Sequence, residues 1–386
     1  MLVKVVPFFK YLYVMHFSTI VGQKDLIEHF VNEVHNEKVG HAQLFVGKPG
    51  YGSLPLALSL VQFLFCEDKR KAESCGECPS CRKVENLQHP DLHFSFPTVQ
   101  AIGKTSDVLL GEWREQIKEN PYFDLNTWIK KIDPQERKPI ISVHESEEII
   151  KKLSLRSYEG GYKVMMIWMA DEMNVSCANK LLKIIEEPPS KTLFILMAES
   201  QEYMLKTILS RCQIVNIPRI KTEEVSQHLK NTLKIASKDT ESAASIADGD
   251  IIEAMHFLGN NEDQNENRNQ FIQLMRVCYK KDVIEMIQWA ETTSAVSKEQ
   301  QKVFIKYALH MFRQSMLRNY TEDHLTKVSD QEDLFLGKFA QFINGNNIFD
   351  FIQTFNDAHY HVERNANSKI LFTNLCFNVM RYIHTA

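Results

Sequence analysis

From about residue 17 to residue 217, short, largely apolar runs alternate with longer stretches in which apolar residues recur every three or four positions. The runs Ala42–Val46, Lys163–Met169 and Thr192–Ala198 read as buried strands. Between them, Leu56, Leu60, Val61 and Leu64 predict a helix from Ser53 to about Cys66, and a second helix stops at Glu186-Glu187-Pro188-Pro189, where two prolines end it. Strands alternating with amphipathic helices predict an α/β domain with a parallel sheet flanked by helices.

Two regions break this rhythm. Residues 100–140 mix charge and Asn with Trp113 and Trp128, and read as an insertion that packs on the core through its aromatics. After Pro218 the strand signal ends: residues 219–261 read as a small helical unit and 262–386 as a larger helical domain. There Phe304, Ala308, Phe312 and Met316 recur at i+4, as do Leu371, Leu375 and Val379, the stripes of a helix-bundle core. The expected organisation is an extension at 1–15, an α/β domain at 16–218, then these two helical parts.

The longest apolar run, Val164–Ala170, is strand-sized and far short of the roughly 18–20 residues of a membrane span. Residues 1–15 lack a small-residue cleavage site and an uninterrupted apolar core, so they do not read as a signal sequence, and the expected location is the cytoplasm. In 386 residues, 44% hydrophobic and 24% charged, the formal net charge is -4. That balance gives no global attraction to nucleic acid, so any DNA contact would be local or made within an assembly. Of eight cysteines, Cys177, Cys212, Cys278 and Cys376 are scattered, as free thiols in a reducing compartment would be.

The other four, Cys66, Cys75, Cys78 and Cys81, form C-x8-C-x2-C-x2-C. Four thiolates suit tetrahedral zinc, and with no position left for water the site would be structural. An iron–sulfur cluster is the rival, but its usual bacterial run ends in cysteine-proline, and Cys81 precedes Arg82-Lys83. After the first strand, Gly47, Gly50 and Gly52 give the glycine skeleton of a phosphate loop. A working loop adds a lysine for the outer phosphates and a hydroxyl for magnesium. Here Ser53 and Leu54 stand in those places, and Lys48 lies in the wrong half of the loop. Asp171-Glu172 follows an apolar strand as a catalytic acid pair would, yet the strand's end is Trp168-Met169, so a solvated or helix-capping role is expected. In Ser210-Arg211-Cys212, Arg211 reads either as an arginine interacting with its own helix end or as a charge offered to a neighbour's phosphate.

In order, Ile20-Val21-Gly22-Gln23, His41-Ala42-Gln43-Leu44-Phe45, the altered loop, the four cysteines, His89-Pro90-Asp91, Ala178 to Pro189 and Ser210-Arg211-Cys212 resemble the AAA+ clamp-loader subunits of bacterial DNA polymerase III, of the delta-prime kind. The resemblance is strong from His16 to Ile217. Beyond residue 220 it fades to a helical lid (219–261) and an oligomerisation collar (262–386), clearest at Glu363-Arg364-Asn365-Ala366-Asn367. It implies an AAA+ fold, a zinc module at 66–81, and an arginine finger at Arg211 acting on ATP held by an adjacent subunit. It further implies delta and tau/gamma partners, a sliding clamp loaded on primed DNA, and no ATPase activity in this chain. Motor subunits of that family carry a lysine at the Ser53 position, Asp-Glu at Trp168-Met169 and a lid arginine where this chain has Ile252. A stand-alone phosphate-loop ATPase acting in DNA repair is the alternative; a zinc-dependent DNA-binding module is a third reading.

Overall fold

The computed structural model describes residues 15–233, 237–259, 261–320, 328 and 330–384, so the expected extension lies, but for Met15, outside the described residues. The chain divides into two compact units: the residues up to Lys221 with Asp250–Ile252, and Thr222–Gly249 with the residues from Glu253 onward.

In the first unit the elements run α1 (Lys24–His35), β1 (Ala42–Val46), α2 (Ser53–Phe65), α3 (Pro79–Glu85), β2 (Leu92–Ser95), α4 (Leu110–Glu119), α5 (Leu125–Ile132), α6 (Val143–Ser154), β3 (Lys163–Ile167), α7 (Val175–Glu186), β4 (Thr192–Ala198), α8 (Lys206–Leu209) and β5 (Gln213–Asn216). The strands form one parallel sheet in the order β2-β3-β4-β1-β5. Register puts Leu44 between Leu196 and Ile214, and Met165 beside Phe194. Successive side chains point to opposite faces, and both faces are covered. Phe45, Val164, Met166, Leu193, Ile195 and Val215 pack with residues of α1 to α5, whereas Leu44, Met165, Ile167, Phe194 and Leu196 pack with residues of α6, α7 and α8. Double burial is why these strands read as unbroken apolar runs.

β3 ends two residues before the sequence expectation. Met169 adopts left-handed backbone (φ 52°), which turns the chain out of the strand direction. β2 and β5 escaped the apolar-run criterion for opposite reasons. β2 is four residues long and carries His93, while β5 lies at an edge with only Val215 of its four residues buried.

Residues 100–140 contribute α4 and α5, and their aromatics enter the core. The Trp113 ring stacks on Phe96 with centroids 4.3 Å apart and meets Trp128 edge-on at 5.3 Å and Trp168 at 5.2 Å. Asp124 starts α5 by accepting from the Thr127 N–H at 2.8 Å, which satisfies an orphan amide of the first turn.

The second unit is helical: α9 (Thr222–Leu233), α10 (Ser237–Ile246), most of α11 (Ile251–Gly259), α12 (Asn261–Lys280), α13 (Val283–Ala295), α14 (Lys298–Tyr320), α15 (Asp330–Phe339), α16 (Ile348–Glu363) and α17 (Ser368–His384). Its core gathers Phe271, Trp289, Phe304, Phe312, Phe355 and Phe372 with the α17 stripe Leu375 and Val379. Of the expected stripe on α14, Phe304, Ala308 and Phe312 are buried and Met316 lies at the margin.

The two insertion tryptophans differ in one atom. Trp128 Nε1 donates to the Pro97 carbonyl at 2.9 Å, whereas the buried Trp113 Nε1 has no acceptor among the described residues. Replacing Trp128 with Phe strands the Pro97 carbonyl; replacing Trp113 with Phe removes a donor that already lacks a partner. Chemical denaturation should therefore find Trp128→Phe the costlier change by ~1 kcal/mol. Equal costs would show that ring packing alone decides both.

Candidate functional site

The parallel sheet brings the loop after β1, the turn after β3 and the end of β4 to one edge. The Gly47 N–H donates to the Ala198 carbonyl at 3.0 Å, tying the loop to β4. Gly52 caps the start of α2 with φ +91°, a conformation that L side chains rarely adopt. Ser53 and Leu54 open α2, and both are buried. Leu54 belongs to the hydrophobic core of the sheet face.

The chain's own side chains lie against this loop. A β-carbon built on Gly50 would sit 1.7 Å from Oδ1 of Asp250, so that carboxylate rests on the loop backbone; the same oxygen accepts from the Ile252 N–H at 3.0 Å. At Gly52 the nearest atom is Tyr122 Cε1, 3.1 Å from such a carbon, and the Tyr122 hydroxyl accepts from the Val21 N–H at 3.2 Å. Gln23 clamps the far side, its Nε2 donating to the Tyr51 and Pro218 carbonyls at 3.0 and 2.7 Å. Ile252, where the resemblance places a lid arginine in motor subunits, is buried.

After β3, Trp168 turns into the aromatic core and meets Phe123 at 5.0 Å. Asp171, expected as a solvated or capping acid, is neither. Its Oδ2 accepts from the Glu199 N–H at 3.1 Å, fastening the end of β4, while Oδ1 has no partner among the described residues. Asn174 caps α7 instead, accepting from the Cys177 N–H at 2.8 Å. Burial pushes the Asp171 carboxyl up to about 6, and Glu172 adds to the effect. Burial, then Asp171, Asp124 and Asp250, push Glu199 up to about 7, against Lys48. Glu199 lies at the surface, where screening keeps its shift from counting as a large stability term. The edge beside the glycine loop therefore carries several carboxylates.

The four cysteines meet at the far end of α2. Cys66 caps that helix, and Cys78 precedes α3. Their sulfurs all lie within 4.8 Å of one another, with Cys75 and Cys81 Sγ 3.9 Å apart. Zinc–sulfur bonds of about 2.3 Å in a tetrahedron require about 3.8 Å between sulfurs, so the four fit such an ion. Backbone amides point at three of the sulfurs: Cys75 N–H at Cys66, Cys78 N–H at Cys75 and Cys81 N–H at Cys78, at 3.2, 3.4 and 3.4 Å. Donors of this kind favour thiolates. Amides of Glu77 and Cys78 pull Cys75 down to about 6, while burial raises Cys66 and Cys81. The cluster could hold a metal ion in a closed set of ligands.

His89-Pro90-Asp91 has a structural task that its sequence did not disclose. The Asp91 carboxylate accepts from Ser157 Oγ and from the amides of Tyr158 and Glu159 at 3.0, 2.7 and 3.0 Å. His89 Nε2 lies 2.9 Å from Glu159 Oε2 and 3.0 Å from Ser80 Oγ of α3. Together they pin the loop before β3 to the cysteine-bearing segment. Arg211 follows α8, at the N-terminal end of β5. Its Nε donates to Glu186 Oε2 at 2.8 Å, Nη2 lies 2.7 Å from the same oxygen, and Nη1 donates to the Thr207 carbonyl at 3.0 Å. The arginine thus contacts its own helix end, one of the two sequence readings.

A parallel β2-β3-β4-β1-β5 sheet with a glycine loop after β1, followed by a helical unit, is a fold of the AAA+ type. The chain belongs to the family described as DNA polymerase III, delta subunit, whose sequence pattern matches residues 22–221. It is similar to a delta-prime subunit of DNA polymerase III from Bacillus subtilis (strain 168), 28% identical over 228 residues, 57% of each chain. It is also similar to that of Haemophilus influenzae, 26% identical over 256 residues, 66% of each chain. The tau subunit of Bacillus subtilis is 26% identical over 247 residues, 63% of this chain and 37% of its own. The chain thus spans little more than half the length of the first of these relatives. A gamma-subunit-related protein of Thermotoga maritima superposes over 92% of this chain and 99% of its own at 14% identity, with a TM-score of 0.35, too loose a likeness to speak to function. No helix among the described residues is long and apolar enough to cross a membrane.

The half-buried Asp171 generates a pH dependence. Its folded-state pKa lies above the ordinary 3.8, so the folded chain binds more protons between pH 4 and 6, and stability falls as pH rises through that window. Asp171→Asn, which keeps an acceptor for the Glu199 amide, should stabilise the chain by ~1–2 kcal/mol at pH 8, with the gain shrinking toward pH 4. Thermal melts across that range test it; a gain independent of pH would dismiss the titration as cause.

Proposed function

We propose that this chain is a non-catalytic subunit of a DNA polymerase III clamp loader. It would support ATP-dependent placement of a sliding clamp on primed DNA in the cytoplasm, beside delta and tau/gamma subunits. The observation that carries the reading is the loop after β1. Its glycines are kept, while Ser53 and Leu54 are buried where a lysine and a magnesium-binding hydroxyl would be needed, and Asp250 rests on Gly50. Trp168 is committed to the aromatic core, and carboxylates line the same edge. Such an edge lacks the lysine at the start of α2 and the acid–hydroxyl pair that hold a magnesium-bound triphosphate, and Lys48, in the first half of the loop, faces Glu199 among these carboxylates. Hydrolysis by this chain is not expected.

Arg211 supplies the complementary half of the proposal. Strands β1 and β5 run parallel, with the glycine loop at the C-terminal end of β1 and Arg211 at the N-terminal end of β5. About four residues at ~3.3 Å each separate the two sheet edges, too far for an arginine to serve its own loop. A nucleotide phosphate that such a guanidinium meets would have to belong to another subunit, which supports the reading of Arg211 as an arginine finger in trans. The Cys66, Cys75, Cys78 and Cys81 cluster would hold a structural zinc, fixing residues 66–81 between α2 and α3. Residues 219–261 would act as a lid and 262–386 as the collar that joins the ring.

Two measurements test this. Reconstituted with its delta and tau/gamma partners, the ring carrying Arg211→Ala should assemble yet lose DNA- and clamp-stimulated ATP turnover at least severalfold, since a finger contributes on the order of 10³–10⁵ at its own site while other sites continue. Undiminished turnover would remove the finger, and turnover by the chain alone would point to the stand-alone ATPase. For the metal, elemental analysis should find one zinc per chain, lost in Cys75→Ser together with several degrees of melting temperature; iron with visible charge-transfer bands would instead establish a cluster.

A further inference from the structure

The guanidinium of Arg211 is held by a second residue of the chain. Glu186 ends α7, and a carboxylate at a helix C-terminus faces the negative end of its own helix dipole, an unfavourable place for it. It is compensated there by Arg211, whose Nε and Nη2 both reach Glu186 Oε2, at 2.8 and 2.7 Å. Nη1 is occupied by the Thr207 carbonyl at 3.0 Å and by Ser210 Oγ at 3.4 Å. Of the five guanidinium N–H groups, one on Nη2 keeps no acceptor among the described residues.

The two ends are rigid relative to each other. Leu181 and Ile185 of α7 and Ile208 of α8 are fully buried in the same core cluster, on the sheet face opposite α2. Glu186 therefore grips one edge of a long, rotamer-rich side chain from a fixed point, while the arginine stays about a third open to solvent. The pair is exposed, so it contributes little to folding stability; what it fixes is direction.

We propose that Glu186 is a positioning residue for Arg211: its carboxylate holds the Nε edge so that the remaining Nη2 N–H is aimed at the phosphate of an adjacent subunit. The inference rests on the finger role proposed above. Holding the guanidinium in advance lowers the ordering cost of the transition-state contact, so its effect belongs in kcat and not in nucleotide affinity.

The test compares ATP turnover by the reconstituted ring carrying Glu186→Ala, Glu186→Gln, Arg211→Ala or the double Glu186→Ala/Arg211→Ala change, with assembly checked by gel filtration. Glu186→Ala should lower kcat roughly fivefold at unchanged KM for ATP, the size of effect an oriented but exposed ion pair can exert. Glu186→Gln keeps an oxygen acceptor and should fall between wild type and alanine; it carries the test if alanine disturbs the end of α7. The double variant should turn over no more slowly than Arg211→Ala alone, because the two residues act as one unit. If Arg211→Ala slows the ring and the Glu186 variants do not, or if they speed it, positioning is wrong while the finger stands; a speed-up would mean that Glu186 restrains the arginine. If Arg211→Ala has no effect, finger and positioning residue fall together.

Discussion

The constraint on which the rest depends is a parallel sheet buried on both faces. Parallel strands need crossover helices, which cover both faces and exclude water from them, so polar chemistry is confined to the two edges where strands begin and end. At the C-terminal edge the glycine loop, the turn after Ile167 and Glu199 at the end of β4 converge without being neighbours in sequence. At the opposite edge, Arg211 enters β5. One sheet thereby presents the glycine loop at one edge and Arg211 beside the other.

The carboxylates at the C-terminal edge follow from the same geometry. With the sheet interior closed, Asp171 spends one oxygen on the Glu199 amide and leaves the other unpaired, which is why burial holds its proton more tightly. A structural fastening and a field adverse to phosphate come from the same side chain. The cysteine cluster stands apart from that field, at the other end of α2, and is tied to the sheet by the hydrogen bonds of His89, Asp91 and Glu159 as well as by Val84 of α3 in the core.

Where a residue's fate is set by local pattern, it was legible in the sequence: the three central strands by their double burial, α2 by its apolar spacing, the four cysteines by their intervals. The edge strands were not, because β2 is short and interrupted by His93, and β5 buries a single residue of four. That Trp168 is no catalytic acid is plain from its side chain, but only packing shows it set at tilted ring contacts with Trp113 and Phe123. For Asp171 the sequence suggests a solvated or helix-capping acid; the half-buried carboxylate that fastens the Glu199 amide depends on β4, nearly thirty residues further on. The Arg211–Glu186 contact spans 25 residues and two helices, a distance at which no periodicity speaks.

The buried side chains that open α2 also bear on ancestry. Leu54 is part of the hydrophobic core, and Gly50 is backed by Asp250. Restoring a hydroxyl at 54 would hollow that core, and a lysine alone at 53 would find neither the hydroxyl nor the acid pair with which a magnesium-bound triphosphate is held. Each single step back toward a working nucleotide site therefore costs stability or yields nothing until the others are made. If hydrolysis belongs to neighbouring subunits, as proposed, selection on folding alone would then act as a ratchet that holds the loop as it is.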